Sequence, residues 1–325
     1  MEKIIVEAKN AGERIDRFLA KEFFLYSRAN IIKRIKNGEV LVNNKPIKPS
    51  YTLEEGNTIM LENFFREQED QSLVGNMNIP LAILFENEDM VVINKQAGLQ
   101  VHPSFNEKKN TLVNALLSRY PEIINVHDEG TDAQQRPGIV HRLDRDTSGV
   151  MVIARNLEAF CALKESFKNR NMEKKYLAVA KGIFTEKEGV IDKPIAKASS
   201  YKKQIIARHN TKTVIRPAET HFKVLEEFEN CTLVELSPKT GRTHQIRIHL
   251  ASIEHPIVGD VIYGLSSAKA DKKEKVDLPV ISAQRQLLHA QKLKFELFGK
   301  VYDFAAPIPA DFDTFLAKIG KNRAI

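Results

Sequence analysis

The stretch Arg136-Pro137-Gly138-Ile139-Val140-His141-Arg142-Leu143-Asp144-Arg145-Asp146-Thr147-Ser148-Gly149-Val150-Met151-Val152-Ile153-Ala154 changes character partway along. From Val150 to Ala154 it is an unbroken apolar run, which reads as a buried strand. Ahead of that run, Asp144 and Asp146 stand among Arg136, Arg142, Arg145 and His141. Charges at the mouth of a buried strand are costly unless they are paired. A carboxylate beside guanidinium groups is favoured in its ionised form. Two readings fit this spacing equally: a functional site, or a salt-bridged loop that fixes the entry into the strand.

With 325 residues, of which 42% are hydrophobic, the chain can bury a full core and is expected to form two domains. Its opening residues, Met1 to Glu7, are charged and carry no apolar signal region. No apolar run approaches the length of a bilayer span, so a soluble, cytoplasmic protein with no membrane partner is expected. Cys161 and Cys231 are too few and too isolated for a disulfide framework or a zinc site, and no metal is expected.

The formal net charge of +7 is a weak pointer to a polyanionic partner. Its distribution says more. Lys193, Lys197, Lys202, Lys203, Arg208, Lys212 and Arg216 follow one another with no acidic residue between them. Such a stripe neutralises phosphates and makes binding salt-dependent. The lysines from Lys269 to Lys275 alternate with Asp271 and Glu274, and read as a solvated surface loop.

Residues 1–62 read as a first unit, 63–78 as a polar, acidic linker and 79–325 as a second unit. In the first, Ile15, Phe18 and Leu19 recur at helical spacing, and Ser27 is placed to cap a second helix carrying Ile31, Ile32 and Ile35. Gly38 ends that helix, and Val40 to Lys45 reads as a strand and a tight turn, with Asn44 where a positive φ is tolerated. This order resembles the alpha-L RNA-binding domain over Arg14 to Leu61, with Asn44 where that family usually has Gly and Asn57 where it usually has Asp. The unit's net charge is only +2, from 11 basic and 9 acidic residues. RNA affinity is therefore expected from one helix face, with Arg28, Lys33 and Lys36 as its candidates.

In the second unit, strands are expected at Ile83 to Phe85, Met90 to Lys95, Tyr176 to Ala180, Phe222 to Leu225, Thr232 to Leu236 and Arg247 to Leu250, with a helix from Thr111. Many strands with few alternating helices point to an α+β fold, a mixed and largely antiparallel sheet flanked by helices.

The segment around His141-Arg142-Leu143-Asp144 resembles the signature of the large-subunit ribosomal RNA pseudouridine synthases, the Rlu group. The resemblance implies that Asp144 is the catalytic residue; charge and spacing alone do not separate it from Asp146. Asn94 to Pro103 is similar to that family's segment leading into the cleft, with Gln96 where a Pro is usual. Lys174 to Ala178 implies that Tyr176 is the active-site tyrosine. Thr240 to Leu250 implies that Arg247 is the ion-pair partner of the aspartate. Leu287 to Ala290 and Gln291 close the match. Arg142, Arg145, Arg242 and His244 are assigned to RNA contact.

The implied reaction cuts the bond between uracil and ribose, turns the base and rejoins it through carbon. Nothing enters or leaves, so no cofactor is expected. A stacked base must first be extruded, losing about a few kcal/mol. Asp144 would act as an anion, either attacking the sugar or removing a ribose proton, and both routes stay open. An alpha-L domain ahead of the catalytic unit implies large-subunit ribosomal RNA over transfer RNA, and a monomer is expected. A non-catalytic RNA-binding ribosome-assembly factor is the main alternative. A kinase is disfavoured by the leucine inserted in the His-Arg-Asp pattern and by the lack of a glycine-rich loop. An aspartic protease would need a second copy of Asp146-Thr147-Ser148-Gly149.

Overall fold

The computed structural model describes residues 2–23, 26, 28–62, 73–104, 107–129, 133–198, 203–264 and 283–320. It divides into two compact units, Met1–Ser72 and Leu73–Ile325. Ser27, residues 63–72 of the expected linker, Lys202 and the lysines between 269 and 275 lie outside the described residues.

The first unit runs β1 (Glu2–Ile5), α1 (Ile15–Glu22), α2 (Arg28–Lys36), β2 (Val40–Val42), β3 (Lys45–Pro46) and β4 (Thr58–Leu61). Its strands, among the described residues, make an antiparallel sheet in the order β1-β4-β2-β3. Ile15, Phe18 and Leu19 of α1 and Ile31 and Ile35 of α2 bury one helix face each against Val40, Val42, Ile59 and Leu61. Gly38, at φ 77°, ends α2 in the left-handed conformation that glycine adopts without strain. Asn43 and Asn44 form the β2–β3 turn at φ 50° and 60°, a turn whose twist suits a hairpin and that asparagine tolerates. Asn57 is buried, and its Oδ1 accepts from the Tyr51 hydroxyl and the Glu54 N–H, so the amide supplies the acceptor an aspartate would offer there.

The second unit runs β5 (Ile83–Glu86), β6 (Met90–Lys95), α3 (Leu112–Arg119), β7 (Ser148–Ala154), α4 (Leu157–Lys168), β8 (Glu173–Lys181), β9 (Glu188–Asp192), β10 (Ile195–Lys197), β11 (Gln204–Ile206), β12 (Ile215–Arg216), β13 (Glu219–Glu227), β14 (Cys231–Pro238), α5 (Gln245–Ala251), β15 (Leu288–Leu297), β16 (Lys300–Ala305) and α6 (Ala310–Gly320). Among the described residues, nine strands form one sheet in the order β5-β6-β7-β15-β8-β14-β13-β9, with β16 on β15. Only β7 and β15 pair in parallel, so the sheet is mixed and largely antiparallel, as expected. β7 is buried along its whole length, which is why Val150 to Ala154 lacks a polar alternation. β10, β11 and β12 make a separate small sheet.

Two features differ from expectation. The second unit begins at Leu73 instead of Ile79: the Asn114 side chain donates to the Val74 carbonyl, and the Asn76 N–H donates to the Asn114 carbonyl. Arg247 to Leu250 is helix α5, not a strand. The alternation of Ile246, Ile248 and Leu250 with Arg247 and His249 mimics a strand, but a period of two reports a sheet only when one face meets water. Here every residue from Gln245 to Leu250 is buried, and the polar ones are buried through hydrogen bonds.

Gly149 sits at φ 121° where β15 crosses close to β7, and a Cβ there would lie 2.1 Å from the Ala290 carbonyl oxygen. Backbone strain and overpacking together put the cost of Gly149→Ala on the order of 3 kcal/mol. The expected outcome is a thermal midpoint lowered by roughly 10 °C, measured by circular dichroism; an unchanged midpoint would refute the close crossing.

Candidate active site

Three elements of the second unit bring their ends to one cavity of about 120 Å³. The loop that enters β7 supplies Arg142, Leu143, Asp144 and Thr147. β8 supplies Lys174 and Tyr176, and the segment from Pro238 into α5 supplies Arg242, His244 and Arg247. Asp144 is the one carboxylate lining it among the described residues.

Arg247 is almost wholly buried. Its Nη1 donates to Asp144 Oδ2 at 3.0 Å, while Nε and Nη2 donate to Asp260 at 2.6 and 3.0 Å. Burial works against its charge, but Asp260 and Asp144 outweigh that and raise its pKa further above the ordinary arginine range. Burial likewise pushes the Asp260 carboxyl up, and Arg247 outweighs it and holds it below the usual carboxylate range. Asp260 Oδ1 also accepts the N–H groups of Ile262 and Tyr263, so its position is fixed by backbone as well as by charge.

The loop before α5 is held by Gln245. Its Oε1 accepts from the Thr240 hydroxyl and the Arg242 N–H, and its Nε2 donates to the Glu219 carbonyl and the Thr220 hydroxyl. His244 then takes a left-handed conformation, φ 56°, that turns its ring inward. Its Nε2 lies 3.9 Å from Asp144 Oδ1, and its Nδ1 lies 3.0 Å from the Tyr263 hydroxyl. That hydroxyl accepts from the Gln204 N–H, so it is free to donate to Nδ1 and leave the histidine proton on Nε2, facing Asp144. Burial lowers the His244 pKa, which favours this neutral form.

Tyr176 lies on the β8 face toward the cavity, and burial, then the charge of Asp144, raises its hydroxyl above the ordinary tyrosine range. The hydroxyl has no hydrogen-bond partner among the described residues. Arg142 is exposed at the rim and donates to His102 Nε2 at 3.1 Å. Burial pushes His102 down to about 4, so it is a neutral acceptor. Arg145 points away, donating to the Gly98 carbonyl, and Arg242 donates to the Pro217 carbonyl. Asp146 does not line the cavity. His141 turns away as well: its Nε2 accepts the Val152 N–H, its ring stacks on Phe167 at 4.4 Å, and burial pushes it down to about 3.

In the first unit, Arg28 is not a free cation. Its Nε and Nη2 donate to Oδ2 of the fully buried Asp16 at 3.0 and 2.6 Å, opposite Arg14. Lys33 and Lys36 are exposed on α2.

Sequence reasoning missed Asp260, Tyr263, Lys95 and Arg285. A lone Asp after Gly259 carries no signal of its own. A lysine closing the apolar run Met90 to Asn94 does, because it is dragged into the core with its strand. Lys95 is 1% exposed, and its Nζ donates to the carbonyls of Gln96, Leu99 and Arg145 at 2.9, 2.9 and 3.0 Å. It thus ties the 96–99 loop to the backbone beside Asp144. Arg285 holds the next residue, donating to the Asp146 carbonyl and to Asp311 of α6.

Burial pushes the Lys95 ammonium down to about 7, against 10.5 for an ordinary lysine. Between those values the unfolded chain binds more protons than the folded one, so stability rises with pH across that window. Lys95→Met removes that rise. Melts from about pH 7 to about pH 10 are expected to show the wild-type midpoint climbing relative to the variant; parallel profiles would contradict the depressed pKa.

Known proteins share this chain's pattern. The RNA pseudouridylate synthase family profile matches residues 89–252, and the S4 domain profile matches residues 13–59. The chain is 36% identical over 329 residues to the ribosomal large subunit pseudouridine synthase D of Xanthomonas campestris pv. campestris, covering 100% of this chain and 94% of that protein. The protein of that name from Haemophilus ducreyi is 38% identical over 311 residues, covering 94% of this chain and 91% of its own. The solved structure of human RNA pseudouridylate synthase domain containing 4 superposes with a TM-score of 0.57 at 28% identity, over 74% of this chain and 93% of that one. With this match along its length, the chain belongs to the RNA pseudouridylate synthase family, with an S4 domain ahead of the catalytic unit, and is an RNA pseudouridine synthase.

Proposed function

We propose that Asp144 is the catalytic carboxylate, that Tyr176 and Arg247 are its partners, and that the substrate is a uridine of large-subunit ribosomal RNA. One observation carries the assignment of Asp144: it is the carboxylate that both lines the cavity and meets the buried Arg247, at 3.0 Å. The ribosomal substrate rests on the names of the relatives, which also support a cytoplasmic location. We infer that it acts as a monomer, because Asp144, Tyr176 and Arg247 all come from one chain and line one cavity.

The reaction needs the base out of its stack, which costs about a few kcal/mol. The Tyr176 ring offers a face for the extruded base. Its raised pKa keeps the hydroxyl protonated, so the ring brings no second negative charge beside Asp144. Asp144 either attacks the sugar carbon or removes a ribose proton as the bond from ribose to nitrogen breaks; the base turns, and the bond to carbon forms as the aspartate–sugar bond breaks or the ribose proton is returned. The proton that carbon loses is balanced by the one nitrogen gains. Arg247 stabilises the carboxylate through one hydrogen bond and keeps its direction fixed.

RNA phosphates are held by cations around this cavity. Arg142 and Arg242 stand at its rim, and Lys197, Lys203, Arg208, Lys212 and Arg216 are exposed on and beside the small sheet that packs Ile206 against Ile248 of α5. In the S4 domain, Lys33 and Lys36 serve; Arg28 chiefly clamps Asp16. Arg145 orders the loop through Gly98, and His244 orients Asp144 in place of an outer RNA contact.

The test is pseudouridine mapping of total RNA from the source organism with and without the gene. Lost signals at particular large-subunit uridines, restored by wild type and not by Asp144→Asn, are expected. Purified Asp144→Asn should lose turnover by on the order of 10³-fold or more and still bind RNA; measurable turnover would sink the assignment. Arg247→Ala should lower turnover by roughly 10²–10³-fold with a smaller effect on RNA affinity. The reverse ranking would make Arg247 a phosphate contact. Signals lost only in transfer RNA would replace the ribosomal substrate.

A further inference from the structure

β8 separates two adjacent lysines that look equivalent in sequence. Lys174 and Tyr176 share the face toward the cavity, while Lys175 lies on the opposite face, where its Nζ pairs with Glu235 at 3.2 Å. The arginines and the histidine lining the cavity each use a nitrogen on the protein. Arg142 donates to His102, Arg242 to the Pro217 carbonyl and Arg247 to two aspartates, and His244 meets the Tyr263 hydroxyl. Lys174 has neither a hydrogen bond nor an ion pair among the described residues.

We propose that Lys174 is a phosphate-binding residue of the cleft, holding the RNA phosphodiester next to the extruded nucleotide. This rests on the reading of the cavity as the pseudouridine synthase site. A half-buried ammonium without a counter-ion costs the fold stability. Arg170 and Lys239, which act on it, are of its own sign; burial first and these two next push it down to about 8. Such a cost persists at sites where a ligand brings the missing charge. The anion must be compact, singly charged and rich in acceptors, because an ammonium presents three rotatable donors with no planar preference. A phosphodiester meets that description, and one flanks every nucleotide whose base could reach Tyr176. The residue's role is thus set by strand alternation: the same residue type one position on faces the other way and is already neutralised.

The experiment uses the full-length chain as wild type, Lys174→Met, Lys174→Arg and Lys175→Met, with an unmodified transcript of the source organism's large-subunit ribosomal RNA as probe. Dissociation constants are measured against salt concentration, with pseudouridine formation and thermal midpoint recorded for each protein. Lys174→Met is expected to weaken binding about tenfold at low salt and to reduce the slope of log K against log salt by about 0.7, the loss of one neutralised phosphate on single-stranded RNA. Its KM is expected to rise by more than its kcat falls. Lys174→Arg should keep the wild-type slope, and Lys175→Met should leave it unchanged. An unchanged slope in Lys174→Met overturns the proposal, even if binding weakens, because a contact to a neutral base edge releases no counter-ion. A lowered midpoint with no rescue by arginine also overturns it, since that marks a structural lysine. Failure of the wild type to form pseudouridine would instead strike the parent reading, and the slope comparison would stand apart from it.

Discussion

The guanidinium of Arg247 is divided between two carboxylates: Nε and Nη2 go to Asp260, and Nη1 goes to Asp144. One buried and one partly buried carboxylate share a single buried guanidinium. The carboxylate with the single side-chain hydrogen bond is Asp144, the one that faces the cavity. Asp260 is satisfied four times over, by two nitrogens of Arg247 and two backbone N–H groups, so it is the fixed pole. Asp144 is under-satisfied by comparison and is left able to react. A buried ion pair of this kind contributes little net stability, since desolvation offsets attraction. Its use is geometric, aiming one oxygen of Asp144.

Holding that geometry is the task of the surrounding backbone. The loop carrying Asp144 is pinned just past the aspartate, by Lys95 on the Arg145 carbonyl, by Arg285 on the Asp146 carbonyl and by Gln286 donating to the Thr147 hydroxyl. The loop carrying His244 and leading to Arg247 is pinned by Gln245. Lys95, Arg285 and Gln245 each make several bonds, so each fixes a loop and loses little freedom per bond. Supports of this kind keep a reacting group within a fraction of an ångström of its position.

Much of this architecture is legible in local sequence. The hairpin of β5 and β6, the buried β7, the helical pair of the S4 domain and the Asn43–Asn44 turn each follow from a local pattern, a period or a turn residue. The grouping of Asp144, Tyr176 and Arg247 comes from motif resemblance and not from periodicity. Helix α5 reads as a strand because its apolar and polar residues alternate, and local pattern cannot report that both faces are covered. Arg28 reads as a free cation because its partner, Asp16, lies one helix away.

By itself the sequence determined what depends on neighbours along the chain: the α+β class, the two units, the kinds of residue available to a site and the basic stripe from Lys193 to Arg216. Only the tertiary structure decided which of those charges are already paired. Lys174 and Lys175 have the same composition and context in sequence, yet one meets Glu235 and the other faces the cavity without a partner. Asp144 and Asp146 are likewise equivalent by charge, and only the approach of α5, about a hundred residues further along, gives one of them Arg247. Electrostatic pairing depends on distance through space, and distance along the chain carries almost no information about it.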